Sequence, residues 1–168
     1  MPSTAQIKQI FERNSKALRL RPSVGRGTAR TTVTLRDGLT CDVEDDRWKL
    51  VVDMTQKSGG DDRGPDPGVY GRTALGSCLA IGYTLWAAKR GITLKKLQVQ
   101  VEADYDSSGY LGVVDSPPGY GQVRYIVTVE SDAPREQVVA LIDEADAHSP
   151  YRDIFTRAID MRRELRIT

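Results

Sequence analysis

Histidine and cysteine are the scarce residues of this chain, with one His (His148) and two Cys (Cys41 and Cys78) in 168 positions. Two cysteines do not make a disulfide framework, so stability has to come from a packed core. Cys41, Cys78 and His148 stand at no metal-ligand spacing, and neither a metal nor a cofactor is expected. No long hydrophobic run is present either. The longest uncharged stretch, Thr73 to Ala88, covers 16 residues and is interrupted by Gly, Ser and Thr. A bilayer span needs roughly 18–20 apolar residues, so the stretch reads as a buried helix and no membrane association is expected. The N-terminus has no basic segment followed by an apolar core of the kind that leads a secreted chain, which makes the cytoplasm the expected compartment. Internal repeats and low-complexity segments are also missing.

What is present fits one soluble globular domain: 39% apolar and 28% charged residues over a length that supports a real core. The net charge is only +1, yet residues 1–36 carry eight Lys or Arg against one acid, which leaves the remainder at −6. No nucleic-acid-binding motif accompanies that basic arm, so mutual attraction of the two ends, within or between subunits, is the better account.

The periodicity then divides the chain. In "TAQIKQIFERNSKAL" (residues 4–18), Ile7, Ile10, Phe11 and Leu18 form one stripe of an amphipathic helix that "RPSVGRG" ends. From Thr28 the period changes to two. Thr31, Val33 and Leu35 alternate with polar neighbours, and Asp37-Gly38 signals a hairpin. "LTCDVED" and "WKLVVDMT" follow as second and third strands of an antiparallel meander. After a Gly/Pro/Asp loop, Asp66 as N-cap, Pro67 as first residue and Lys89-Arg90-Gly91 as stop predict a helix over 67–90. Its middle is apolar nearly all round, which predicts burial on most sides. "LKKLQVQVEADYD" and "QVRYIVTVESD" predict a long hairpin with a loop over 107–121. "APREQVVALIDEADAH" reads as an amphipathic helix opened by Asp132 and Pro134, "SPYRDIFTRA" as a short helical turn, and "IDMRRELRIT" as a closing strand. The fold class is α+β, antiparallel sheet around helices.

The stretches "GGDDRGPDPGVYGRTALGSCLA" and "AAKRGITLKKLQVQVEADYD" closely resemble the OsmC/Ohr family, the osmotically inducible protein C and organic hydroperoxide resistance proteins. The resemblance spans about Thr28 to Thr168, which divides the chain into an N-terminal helix and arm (1–27) and a family core (28–168). It implies an intertwined homodimer in which antiparallel sheets wrap long central apolar helices, with active sites at the subunit interface. It further implies a thiol-dependent, peroxiredoxin-like peroxidase reaction. A cysteine in the central helix attacks the hydroperoxide, and a second cysteine, in a Cys-Pro motif after a later helix, resolves the resulting sulfenic acid as a disulfide.

Cys78 matches the first of these cysteines. At the second, the chain reads Ser149-Pro150. A hydroxyl cannot form a disulfide, so an external thiol reductant or Cys41 would have to resolve Cys78. "SVGRGTAR" resembles the family's Gly-Arg segment, which makes Arg26, and after it Arg30, the guanidinium expected to stabilise the thiolate. The carboxylate that orients this arginine in the peroxidase branch has no counterpart just before Gly59-Gly60, where Gln56, Lys57 and Ser58 stand, unless Asp53 takes its part. His148, beside Ser149, would activate Cys78 as a base if it approached the sulfur, or simply end its helix. Tyr70, Tyr83 and Trp86 line an apolar pocket in the functional reading and belong to the core otherwise. Cys78 itself is a nucleophile in one reading. In the other it is a structural residue of a scaffold that binds a small apolar or anionic ligand at the dimer interface.

Overall fold

The computed structural model describes residues 2–168. Helix α1 (Thr4–Leu20) opens with a capping box, in which Ser3 Oγ accepts the Gln6 N–H and the Gln6 side chain accepts the Ser3 N–H. A 3₁₀ turn, Pro22–Gly25, ends it. Strands β1 (Thr32–Asp37), β2 (Thr40–Asp45) and β3 (Trp48–Val52) form the antiparallel meander in the order β1-β2-β3. The first turn sits one residue later than the Asp37-Gly38 signal, on Gly38 and Leu39, with Gly38 at φ +50°. Val33, Val43 and Leu50 lie opposite one another, as do Leu35, Cys41 and Val52, so these six residues share one apolar face. The β1 edge of that face is open, with Val33 59% and Leu35 63% exposed, while Val43 on the central strand is buried.

Helix α2 (Pro67–Arg90) has the expected bounds. Asp66 Oδ1 accepts the Val69 N–H at 2.9 Å, and Gly91 closes the helix at φ +70°, a left-handed conformation that costs glycine least. Strands β4 (Lys96–Tyr105) and β5 (Tyr120–Glu130) pair as a second, two-stranded antiparallel sheet. Between them lie the short helix α3 (Ser107–Tyr110) and a loop. Helix α4 (Arg135–Ala147) follows Pro134, not Asp132, which pairs with Lys95 and caps nothing. Helix α5 (Pro150–Thr156) is the last regular element. Residues 157–168 form no strand. A strand needs a ladder partner, and this exposed segment meets no unpaired strand edge within the chain.

The core gathers where α2 meets the β4–β5 hairpin, α4 and α5. Leu75, Leu79, Tyr83 and Ala145 are buried, with Val99, Val101, Tyr125 and Val127 of the hairpin packed against them. Each fully enclosed Leu contributes roughly 1.5–3 kcal/mol. Phe11 of α1 meets the edge of Trp86, with ring centroids 5.5 Å apart. Burial of α2 is one-sided, contrary to the all-round expectation. Ser77, Ile81 and Thr84 share an open flank, and Ile81 is 60% exposed. The three-stranded sheet reaches only the first turn of α2, where Tyr70 Oη donates to the Val51 carbonyl at 2.9 Å. No helix among the described residues is long and apolar enough to cross a membrane.

Candidate functional site around Cys78 and Ser149

The site begins with the loop that launches α2. Asp53, buried at 1% exposure, holds this loop closed. Its Oδ1 accepts the Met54 N–H at 2.7 Å, and its Oδ2 accepts the Asp61 and Arg63 N–H groups and the Thr40 hydroxyl at 3.1–3.2 Å. Burial pushes this carboxyl up, but the bonds from the backbone of Arg63, Met54 and Asp61 and from Thr40 outweigh it and hold it below the usual carboxylate range. Gly60 is required inside the loop, since a Cβ there would lie 2.0 Å from the Met54 carbonyl oxygen. Asp53 thus accepts three backbone N–H groups of its own loop and the hydroxyl of Thr40 in β2. It scaffolds the site, and among the described residues it accepts from no arginine side chain.

Cys78 lies about three turns into α2, half-buried. Its Sγ is 3.6 Å from Ser149 Oγ. Ser149 reaches it because α4 ends at Ala147 and the chain turns through His148 and Ser149 before Pro150 starts α5. Ser149, 7% exposed, is the N-cap of α5, and its Oγ accepts the Arg152 N–H at 3.3 Å. That bond leaves the hydroxyl proton free to point at the sulfur.

Behind this pair lies a polar network that the sequence reading missed. Asp146 accepts Tyr83 Oη on Oδ1 and Tyr125 Oη on Oδ2, both at 2.6 Å, and Arg152 Nε donates to Tyr125 Oη at 3.2 Å. Burial first, then the bond to Asp146, pushes the Tyr83 phenol far above its ordinary value. The same two causes raise Tyr125, against the opposing pull of Arg152. Both tyrosines therefore stay protonated donors. Arg152 is held charged by its bond to Tyr125. The four residues tie α2, β5, α4 and α5 together around Ser149. The only sequence signal was an aspartate one helical turn from half-buried Ile142 and next to buried Ala145 on α4, with phenols at otherwise apolar positions.

The other candidates are not brought to Cys78. His148 is exposed, donates from Nδ1 to the Glu144 carbonyl at 2.7 Å, and packs on Trp86 with ring centroids 4.7 Å apart. It ends α4 and makes no hydrogen bond to the sulfur. Arg26 and Arg30 are exposed, and among the described residues neither side chain makes a hydrogen bond or ion pair. Cys41 is a free, half-buried thiol opposite Leu35 and Val52 on the three-stranded sheet, with no disulfide to Cys78. Tyr70, Tyr83 and Trp86 have separate partners: Tyr70 bonds Val51, Tyr83 bonds Asp146, and Trp86 lies between Phe11 and His148. Among the described residues no cluster of three or more His, Cys, Asp or Glu could hold a metal ion.

The model of the OsmC-like protein family matches residues 59–164, from the Gly-Gly loop through α5 and into the C-terminal segment. The chain belongs to the OsmC-like family. Solved structures of similar fold include an OsmC-like protein from Mycoplasma pneumoniae (16% identity, 77% of this chain and 87% of that one, TM-score 0.67). An organic hydroperoxide resistance protein from Elizabethkingia anophelis is similar at 18% identity over 78% and 89% of the two chains, with TM-score 0.59. The organic hydroperoxide resistance protein OsmC of Legionella pneumophila is 15% identical over 77% and 90%, with TM-score 0.56. No curated protein matches the sequence. In this OsmC-like chain the match begins at the loop closed by Asp53 and takes in both Cys78 and Ser149. The basic arm, with Arg26 and Arg30, lies outside it.

Proposed function

We propose that this OsmC-like protein reduces organic hydroperoxides through Cys78 alone, with Ser149 in the place of a resolving cysteine. The carrying observation is the 3.6 Å approach of Cys78 Sγ to Ser149 Oγ, which joins the two positions that the family resemblance couples. The Cys78 thiolate attacks one oxygen of the substrate's O–O bond. The bond breaks, the sulfur becomes a sulfenic acid, and the alkoxide leaves as an alcohol after taking a proton. Ser149 cannot close a disulfide, so an external thiol attacks the sulfenic sulfur and expels water. A second thiol then attacks the mixed disulfide and returns Cys78 to its reduced form.

The cation of this mechanism is Arg26, with Arg30 as the alternative, brought in by a homodimer. The open flank of α2 at Ile81 and the open β1 edge of the three-stranded sheet's apolar face support dimerisation, because both are apolar surfaces that a single chain leaves wet. The expected setting is cytoplasmic. A second reading has a specific observation behind it: among the described residues, Cys78 has a hydroxyl partner and no guanidinium within hydrogen-bond reach. In that reading Cys78 is structural and the scaffold binds a small ligand.

One experiment decides. Reduced protein is treated with one equivalent of cumene hydroperoxide, and sulfenic acid is trapped with dimedone and located by mass spectrometry. Modification at Cys78 within seconds, absent in Cys78→Ser, supports the peroxidase. Survival of the Cys78 thiol for hours in excess peroxide rejects it.

A further inference from the structure

A cavity of about 560 Å³ lies between the start of β5, α5 and Leu75 of α2. Arg152 is the only charged residue in its wall; the rest includes Leu75, Tyr120, Gln122, Ile154 and Phe155. The guanidinium is half-buried and spends Nε on Tyr125 Oη. Among the described residues no carboxylate lies within ion-pair distance of it, and no acceptor meets its two terminal nitrogens. The nearby carboxylate, Asp146, accepts Tyr83 and Tyr125 at 2.6 Å each and makes no ion pair with Arg152. The network therefore clamps the Arg152 head from behind through Tyr125 and leaves its outer fork facing the cavity.

An arginine fork matches a carboxylate in geometry, and a half-buried guanidinium with unspent donors gains most from an anion that replaces lost water. Leu75, Val123, Ile154 and Phe155 give the wall apolar surface beside Gln122 and Thr156, which suits an amphiphile with a hydrocarbon body and not a bare inorganic ion.

We propose that this cavity binds an amphiphilic organic monoanion, an aliphatic carboxylate, with its head on Arg152 and its chain against Leu75, Ile154 and Phe155. The site goes beyond the thiol chemistry proposed above and does not depend on it. Tyr125, itself part of the wall, holds Arg152 directly, and Asp146 is a positioning residue that acts through Tyr125.

The test is calorimetric titration of the full chain with three probes: octanoate, 1-octanol and acetate. Octanoate is expected to bind saturably, about tenfold or more tighter than octanol, because only its head gains the charge-assisted pair, while acetate gives no measurable heat. Arg152→Gln is expected to bring octanoate down to the octanol level. Because Arg152 also bonds Tyr125, a variant that leaves the network intact is run beside it. Thr156→Glu places a competing carboxylate at the cavity wall and is expected to weaken octanoate about tenfold without affecting octanol. Equal affinity for octanoate and octanol, or octanoate binding that is unchanged in a folded Arg152→Gln or Thr156→Glu chain, overturns the proposal. So does the absence of octanoate binding by the wild-type protein.

Discussion

Cys78 Sγ and Ser149 Oγ lie 3.6 Å apart although 71 residues separate them in the chain. The gap is short enough for side-chain rotation to close to the roughly 2.05 Å of a disulfide if both atoms were sulfur. In a Cys41→Ser background, Ser149→Cys is therefore expected to form an intramolecular disulfide between Cys78 and the new thiol after one equivalent of hydroperoxide. Peptide mapping by mass spectrometry reads the loss of two hydrogens directly. Removing the cap hydroxyl of α5 costs the reduced variant about 1 kcal/mol. Oxidation should more than restore it. Finding only overoxidised Cys78 would argue against the contact.

Tyr83 and Tyr125 should be coupled through their shared acceptor. Tyr83→Phe leaves one oxygen of Asp146 without its donor in a buried setting, at a cost of about 1–3 kcal/mol in urea unfolding. Tyr125→Phe costs a similar amount and also frees Arg152. The double variant is expected to depart from additivity by at least about 0.5 kcal/mol, and strict additivity would mean that the network does not act as a unit.

The loop before α2 should give the protein an acid-sensitive step. Asp53 has its folded pKa depressed, so its stabilising contribution is complete above the unfolded value of about 3.9 and is lost as pH falls through the lower folded value. Asp53→Asn should be less stable than wild type at pH 7, with the difference shrinking below pH 4. Chemical denaturation at several pH values checks this. A gap that stays constant down to pH 2 would contradict the sign.

Dimerisation puts the open flank of α2 under test. Ile81→Glu replaces an apolar side chain, 60% exposed in the single chain, with a charge. If that flank is the dimer seam, burying an unpaired carboxylate there is prohibitive. Sedimentation at micromolar concentration is expected to show a dimer for wild type and a monomer for the variant. Two dimers would move the seam elsewhere.

Local signals carried most of the architecture. The bounds of α2 followed from Asp66-Pro67 at one end and Gly91 at the other, because capping and φ preferences act within a few residues. The alternation of Leu97, Val99 and Val101 marked the core face of β4 for the same reason, since period-two burial is written in neighbouring side chains. The closing strand failed where the deciding factor was not local. Residues 159–168 alternate acceptably, but a strand exists only against a partner edge.

The sequence by itself determined most of the elements, the family, and the replacement of a second thiol by Ser149. Only the tertiary structure decided which side chains meet. It gave Ser149 to Cys78, turned His148 toward Trp86 and the Glu144 carbonyl, spent Asp53 on its own loop, and joined Tyr83, Tyr125, Asp146 and Arg152 from four separate elements. The physical reason is one of range. Propensity, capping and periodicity are set by covalent neighbours, whereas a polar network depends on how helices and strands tens of residues apart are packed, and one turn of helix rotation would give each donor a different partner.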